Sequence, residues 1–163
     1  KPDAVAVWAF PVQAGQAASA LRESGFRGGI YFDSVAAGSL FLSGPAAAAD
    51  GGWLVFPQTL AMDDVIATTP AKATRKQWFE DYTSRYGSYH AQSSFAADAL
   101  GLVVAATNRA GGTDRTALRD VLESMETDGL SGPIRLTPAN HSGLMPQALT
   151  VLVAKGGRWR LLG

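Results

Sequence analysis

Apolar residues fall along this chain first in short unbroken runs and then at helical spacing. Ala4-Val-Ala-Val-Trp8 is almost wholly apolar, the pattern of a parallel strand covered on both faces. Pro11 suits a first helical turn, Val12 to Glu23 is rich in helix formers, and Gly25 follows as a helix-ending glycine. Ile30-Tyr-Phe32 and Trp53-Leu-Val-Phe56 read as second and third buried strands, the latter ended by Pro57. Between them, Ser39 to Asp50 predicts one or two short helices around Gly44-Pro45, with the Ala46–Ala49 tetrad as a helical turn. Strand, helix and strand joined by short links imply a parallel sheet with right-handed crossovers.

The middle of the chain is helical. After a loop over 57–69, Pro70 opens a helix that runs to Tyr86 and closes at Gly87, with Trp78, Phe79, Tyr82 and Tyr86 forming one apolar stripe suited to a core. A second helix spans about Ser93 to Arg109 and stops at Gly111-Gly112. A third starts at Thr113 or Asp114 as N-cap, with Leu118, Val121, Leu122 and Met125 at core spacing. The last third changes period. Ile134-Arg-Leu136 is a strand, Pro138 to Gly143 a turn, and Ala148 to Ala154 a strand that turns at Lys155-Gly-Gly157 into Trp159 to Leu162. The fold class is α/β, with a parallel sheet, flanking helices and a C-terminal antiparallel meander.

Composition narrows the function. With 163 residues, 47% of them hydrophobic, the chain can bury a sizeable core. Fourteen basic residues balance fourteen acidic ones, and no basic cluster is denser than Arg75-Lys76 or Arg158-x-Arg160, so the electrostatic footprint of a nucleic-acid binder is missing. There is no cysteine, hence no thiolate metal site and no cysteine nucleophile. The longest apolar stretch, Phe95 to Ala106, is interrupted by Asp98 and falls short of the ~20 residues of a membrane span. The chain opens on Lys rather than Met and enters a strand at once, which suggests a piece of a longer protein.

Catalytic signatures are scarce. No nucleophile elbow, P-loop or dinucleotide fingerprint occurs, and the paired glycines are isolated turn signals. His90 and His141 lie in predicted loops with no second histidine at metal-ligand spacing. Asp63-Asp64 are chain neighbours whose side chains point apart, so no metal and no cofactor is expected. Asp98 interrupts an apolar helix, and a carboxylate there must find partners or sit at an opening. Ligands of parallel α/β sheets collect beyond the carboxyl ends of the strands. That rule selects Ala9-Phe10-Pro11, Asp33-Ser34 and Pro57-Gln58. An enzyme using Asp33, Asp98 and His141 as acid–base groups is the least favoured reading, because nothing in their spacing brings them together.

Several stretches carry a family resemblance. They are Lys1-Pro-Asp-Ala-Val-Ala-Val-Trp8 with Gly15-Gln16 and Ala20-Leu-Arg-Glu-Ser-Gly25-Phe, Gly29-Ile-Tyr-Phe32, Phe79-x-x-Tyr82 with Tyr86-Gly87, Ser94-Phe95-Ala-Ala-Asp98, and Gly132-Pro-Ile-Arg-Leu-Thr-Pro138 with His141-Ser-Gly143 and the Trp159 hairpin. In order and spacing they resemble the C-terminal half of substrate-binding proteins of branched-chain amino acid ABC transporters, which are type I periplasmic binding proteins. The resemblance implies two α/β lobes closing on a ligand at a hinge, of which this chain would lack the first half. Residues 1–60 would form most of the C-terminal lobe, 61–130 helices of the N-terminal lobe, and 131–163 the return strands and hairpin. It implies no enzyme, no cofactor and no nucleic acid. It implies instead a small amino acid or a related polar-headed apolar or aromatic ligand, an ABC permease as partner, and a periplasmic or extracytoplasmic location, lipid-anchored in a Gram-positive host. A cytoplasmic ligand-sensing regulator on the same fold is the alternative.

Position by position, Phe10 matches an aromatic that packs on the ligand, with Ala9 beside it. Asp33 or Ser34 falls where the family keeps an acid for the ligand's ammonium, and Phe95 matches an aromatic at the hinge-side helix. Asp98 is the remaining carboxylate near the hinge. The absence of hydroxyls on Phe10 and Phe95 tilts the pocket towards apolar ligands. Half of a two-lobed protein is expected to bind poorly alone. Its uncovered apolar faces suggest dimerisation or segment exchange between copies.

Overall fold

A computed structural model describes residues 2–38 and 46–162, so the short helix expected around Gly44-Pro45 lies partly outside the described residues. Strands β1 (Ala4–Val7), β2 (Gly29–Phe32) and β3 (Trp53–Pro57) pair in parallel, side by side in chain order. Helix α1 (Pro11–Glu23) makes the first crossover. Its start is fixed by Pro11, and its end by Gly25 at φ +80°, beyond which Arg22 donates to the carbonyls of Phe26 and Gly28. The second crossover contains a 3-10 turn, Ser34–Ala37, and the alanine helix α2 (Ala46–Ala49). Strands β6 (Leu149–Lys155) and β7 (Arg158–Leu161) complete a five-stranded sheet of order β1-β2-β3-β6-β7, and both join antiparallel.

The core lies on one face of this sheet. Ile30, Leu54 and Leu152 are fully buried there, under Ala14, Ala18, Ala36 and Ala49 from the crossovers. Each large side chain contributes about 1.5–3 kcal/mol on burial. Trp159 closes the far side, edge-on to Phe32, and its indole N–H donates to the Ala37 carbonyl over 2.9 Å.

The remaining helices are α3 (Pro70–Tyr86), α4 (Ser93–Ala110) and α5 (Arg115–Leu122). Their ends follow local chemistry. Thr69 caps Lys72 N–H, Asp114 caps Ala117 N–H, and Gly87 and Gly111 end α3 and α4. No residue of α3 is buried, so the expected core stripe is a half-exposed ring cluster instead: Trp78–Tyr82 at 5.3 Å, Tyr82–Tyr86 at 4.7 Å and Phe79–Tyr89 at 5.1 Å.

Two further details depart from the sequence reading. The expected loop after β3 contains a 3-10 segment, Gln58–Asp64, broken by non-helical geometry at Ala61. The strand expected around Ile134 does not join the meander. As β5 (Pro133–Arg135) it pairs with β4 (Glu126–Asp128) in a separate two-stranded sheet. β4 is polar and exposed throughout, so no hydrophobic alternation announces it.

Candidate functional site

Because β1, β2 and β3 run parallel, their carboxyl ends emerge along one edge of the sheet. A cavity of about 480 Å³ lies there. Trp8, Asp33, Ser34 and Pro57 come from the three strand tips. Phe95 enters from the first turn of α4, held edge-on against Phe56 with ring centres 5.7 Å apart. Leu144 and Leu149 close the cavity from the segment leading back into β6.

Asp33 is the one ionisable group in this apolar wall. Its backbone is used locally: the N–H donates to Val7 O and the carbonyl accepts from Ala36 N. It occupies the N-cap position of the 3-10 turn, yet its side chain makes no capping bond, and Oδ1 is buried without a hydrogen-bond partner. A buried acceptor left unmade costs about 1–3 kcal/mol, more when charged. Such an oxygen is a ready acceptor for a ligand's N–H, and with no basic side chain lining the cavity, a cationic head group fits it best.

Of the six residues singled out from the sequence, Asp33, Ser34 and Phe95 meet in the cavity. Ala9 packs against the core and Phe10 is 73% exposed at the start of α1, so both lie at the same edge but outside the cavity walls. The aromatic at the β1 tip that does line it is Trp8, which is 88% exposed. Sequence reasoning took Trp8 as the end of the strand, yet β1 stops at Val7 and Trp8 is already tip.

Asp98 lies apart from the other candidates. It does not join Asp33 but lines a different depression, of about 340 Å³, between α4 and the β4–β5 hairpin. Its Oδ1 accepts from Leu130 N–H at 2.6 Å and its Oδ2 from Ser131 N–H at 2.8 Å, so both oxygens are committed to the hairpin turn. A Cβ on Gly129 would sit 2.8 Å from Oδ1, and Gly132 holds φ +133° against Ala148. Arg75 grips the same turn, donating from Nε to Gly129 O and pairing with Asp128. Beside it, Ser131 Oγ donates to Ser94 Oγ in the interior, while Thr59 and Tyr89 keep buried hydroxyls without a partner of good geometry.

The other ionisable candidates are engaged elsewhere. Asp64 pairs with Arg160, on the rim of a larger crevice of about 510 Å³ that Asp63 and Arg158 also line. Exposed His141 meets Glu123 at 3.0 Å, and Arg119 beside Glu123 holds that carboxyl below its usual range. No group of three or more potential metal ligands exists among the described residues, and no helix there is long and apolar enough to cross a membrane.

Residues 1–158 match a protein family described as periplasmic binding protein. No curated protein sequence matches. Among solved structures, an extracellular ligand-binding receptor from Rhodopseudomonas palustris HaA2 superposes with a TM-score of 0.84 at 25% identity, covering 99% of this chain and 47% of that one. The leucine-binding protein LivK of Thermotoga maritima MSB8 gives 0.82 at 22%, covering 99% and 44%. A solute-binding protein of an R. palustris ABC transporter, solved with benzoate, gives 0.74 at 20%, covering 99% and 42%. The chain therefore spans less than half the length of these structures.

Proposed function

This chain belongs to the periplasmic binding protein family, and from that premise we propose that it forms one wall of the solute-binding component of an ABC transporter. The ligand is a small amino acid or a related apolar or aromatic compound with a polar, cationic head. The protein captures it outside the cytoplasm and passes it to a membrane permease; it performs no chemistry on it. The observation that carries this reading is the buried, unpartnered Asp33 oxygen in an otherwise apolar, aromatic-walled cavity. A space of about 480 Å³ lies in the range of small-molecule sites.

Asp33 accepts the ammonium, Ser34 lies beside it at the β2 tip, and Trp8, Phe56 and Phe95 surround the apolar body. A charge-assisted hydrogen bond contributes about 1.5–3 kcal/mol. Shifting an open–closed equilibrium from 1:99 to 99:1 needs about 5.5 kcal/mol of differential binding. The Asp33 contact alone falls short, so a second wall must close over the ligand. Residues 1–163 by themselves therefore bind weakly.

Calorimetry on the complete polypeptide carrying this sequence tests the assignment, with leucine, phenylalanine, phenethylamine and benzoate as probes. Leucine or an aromatic amine is expected to bind, and Asp33→Asn to weaken that binding by about 10- to 100-fold. Ser34→Ala is expected to change it less than about threefold. Unaltered affinity in Asp33→Asn, or benzoate binding that outranks every amine, would overturn the reading.

A further inference from the structure

The cavity beyond the strand tips has two kinds of wall. Trp8, Asp33, Ser34 and Pro57 belong to the tips themselves, whereas Leu144 and Leu149 come from the segment that leads back into β6. Leu149 pairs with Pro57, which puts that segment on the β6 side of the cavity. In the order β1-β2-β3-β6, β6 lies two strands from the β2 tip that carries Asp33, about 10 Å at the usual spacing of neighbouring strands. A ligand held by its head at Asp33 therefore extends its body towards Trp8 on one side or towards these leucines on the other. Trp8 is largely exposed and leaves its side open, while Leu144 is half-buried.

Leu144 is mounted on paired backbone. Arg135 N–H donates to Gly143 O over 2.8 Å and Met145 N–H to Pro133 O over 2.9 Å, so residues 143–145 run antiparallel along β5, which is also paired with β4. Ile134 and Leu144 face each other as a non-hydrogen-bonded pair, the arrangement in which side chains stand closest, and Ile134 is buried. The approach is tight. Gly143 sits at φ +72°, and a Cβ there would come within 2.7 Å of Leu136 and 3.0 Å of Ile134. Past Met145, the 3-10 turn Pro146–Ala148 is closed by Ala148 N–H on Met145 O, and Leu149 then enters the β3–β6 ladder. A wall discriminates ligand size only when it does not yield, and backbone bonded on both sides of the side chain supplies that rigidity where a free loop would not.

We propose that Leu144 limits the size of the ligand's apolar body. The assignment rests on the reading of this cavity as the ligand site, but not on the charge of the ligand's head. Leu144→Ala takes three carbons from a wall that cannot collapse inwards, and so admits a bulkier body. Leu144→Phe fills the same space, and excludes an aromatic ring before it excludes a branched aliphatic chain. Neither substitution touches Asp33. Between two ligands that share a head group the head-group contribution cancels, and what remains is the fit of the body against this wall.

Calorimetry on the complete polypeptide tests this with two pairs of probes, each pair sharing a head group: leucine with phenylalanine, and benzoate with 2-naphthoate. The readout is the affinity for the larger member of a pair relative to the smaller. A methylene more or less in an apolar pocket changes affinity by about 10- to 200-fold, so Leu144→Ala raises the ratio about tenfold and Leu144→Phe lowers it about tenfold. Leu144→Met, of similar volume, leaves it within about twofold. Should Leu144→Ala fail to fold, Leu144→Val reads the same rise at about threefold. Ratios that stay within about twofold of the parent in both Leu144→Ala and Leu144→Phe overturn the proposal, as does a Leu144→Met shift as large as that of Leu144→Ala. Leucine and phenylalanine binding with an unmoved ratio keeps the Asp33 reading and fails Leu144. A ratio that moves as expected only in the carboxylate pair keeps Leu144 and fails the Asp33 reading. A parent that binds neither pair overturns both.

Discussion

Replacing Asp98 tests whether its carboxylate anchors the hairpin rather than serving a ligand. Two backbone N–H groups, of Leu130 and Ser131, depend on its two oxygens at 2.6 and 2.8 Å, and Ser131 is buried. Hydrogen bonds to a charged group contribute about 1.5–3 kcal/mol each, and water replaces part of that where the turn is half-open. Asp98→Ala is therefore expected to cost about 2–4 kcal/mol. Asp98→Asn keeps one acceptor but turns an amide N–H towards the second donor, so it is expected to cost about 2 kcal/mol. For a chain of this size each kcal/mol moves the melting temperature by about 2–4 °C. Urea titration and thermal melting at neutral pH read the loss, and amide hydrogen exchange localises it, since the Leu130 and Ser131 amides should exchange faster than those of β2. An alanine variant within about 0.5 kcal/mol of the parent, with both amides still protected, would refute the anchoring role.

Two other expectations follow from a partly buried carboxylate and a buried hydroxyl. Burial pushes the Asp64 carboxyl up, but hydrogen bonds from Arg160 and the Leu161 N–H, with the Arg160 charge, outweigh it and leave the group below its ordinary value. Its stabilising effect is thus present above the ordinary carboxylate range and lost as pH falls through the lower folded value. The stability gap between parent and Asp64→Asn should shrink as urea titrations move from about pH 6 to pH 3, and a gap that widens would contradict the pairing. Tyr89→Phe removes a buried hydroxyl with no well-placed partner, so equal stability or a gain of up to about 1 kcal/mol is expected at pH 7. Burial also raises the Tyr89 phenol pKa, so the parent alone should lose stability from this group as pH rises past about 10. A loss above about 1 kcal/mol at pH 7 would show that the hydroxyl is bonded after all.

The order of elements was determined by the sequence. Three short apolar runs became the three parallel strands, Pro11 and Pro70 opened helices, and Gly25, Gly87 and Gly111 ended them, because each of these signals acts within a few residues. The rule that ligands gather beyond parallel strand ends also brought Asp33 and Ser34 to one cavity. Only the tertiary structure could decide the partners. Asp98 meets its donors across 32 and 33 residues of chain, and Trp159 reaches Ala37 across 122, separations on which local periodicity carries no information. The same holds for Trp8, whose place in the cavity depends on β1 ending one residue early, and for the aromatic stripe of α3, which had the spacing of a core helix but forms a half-exposed ring cluster with Tyr89. Periodicity records which face a residue can bury; what lies opposite that face is set by chain that is distant in sequence.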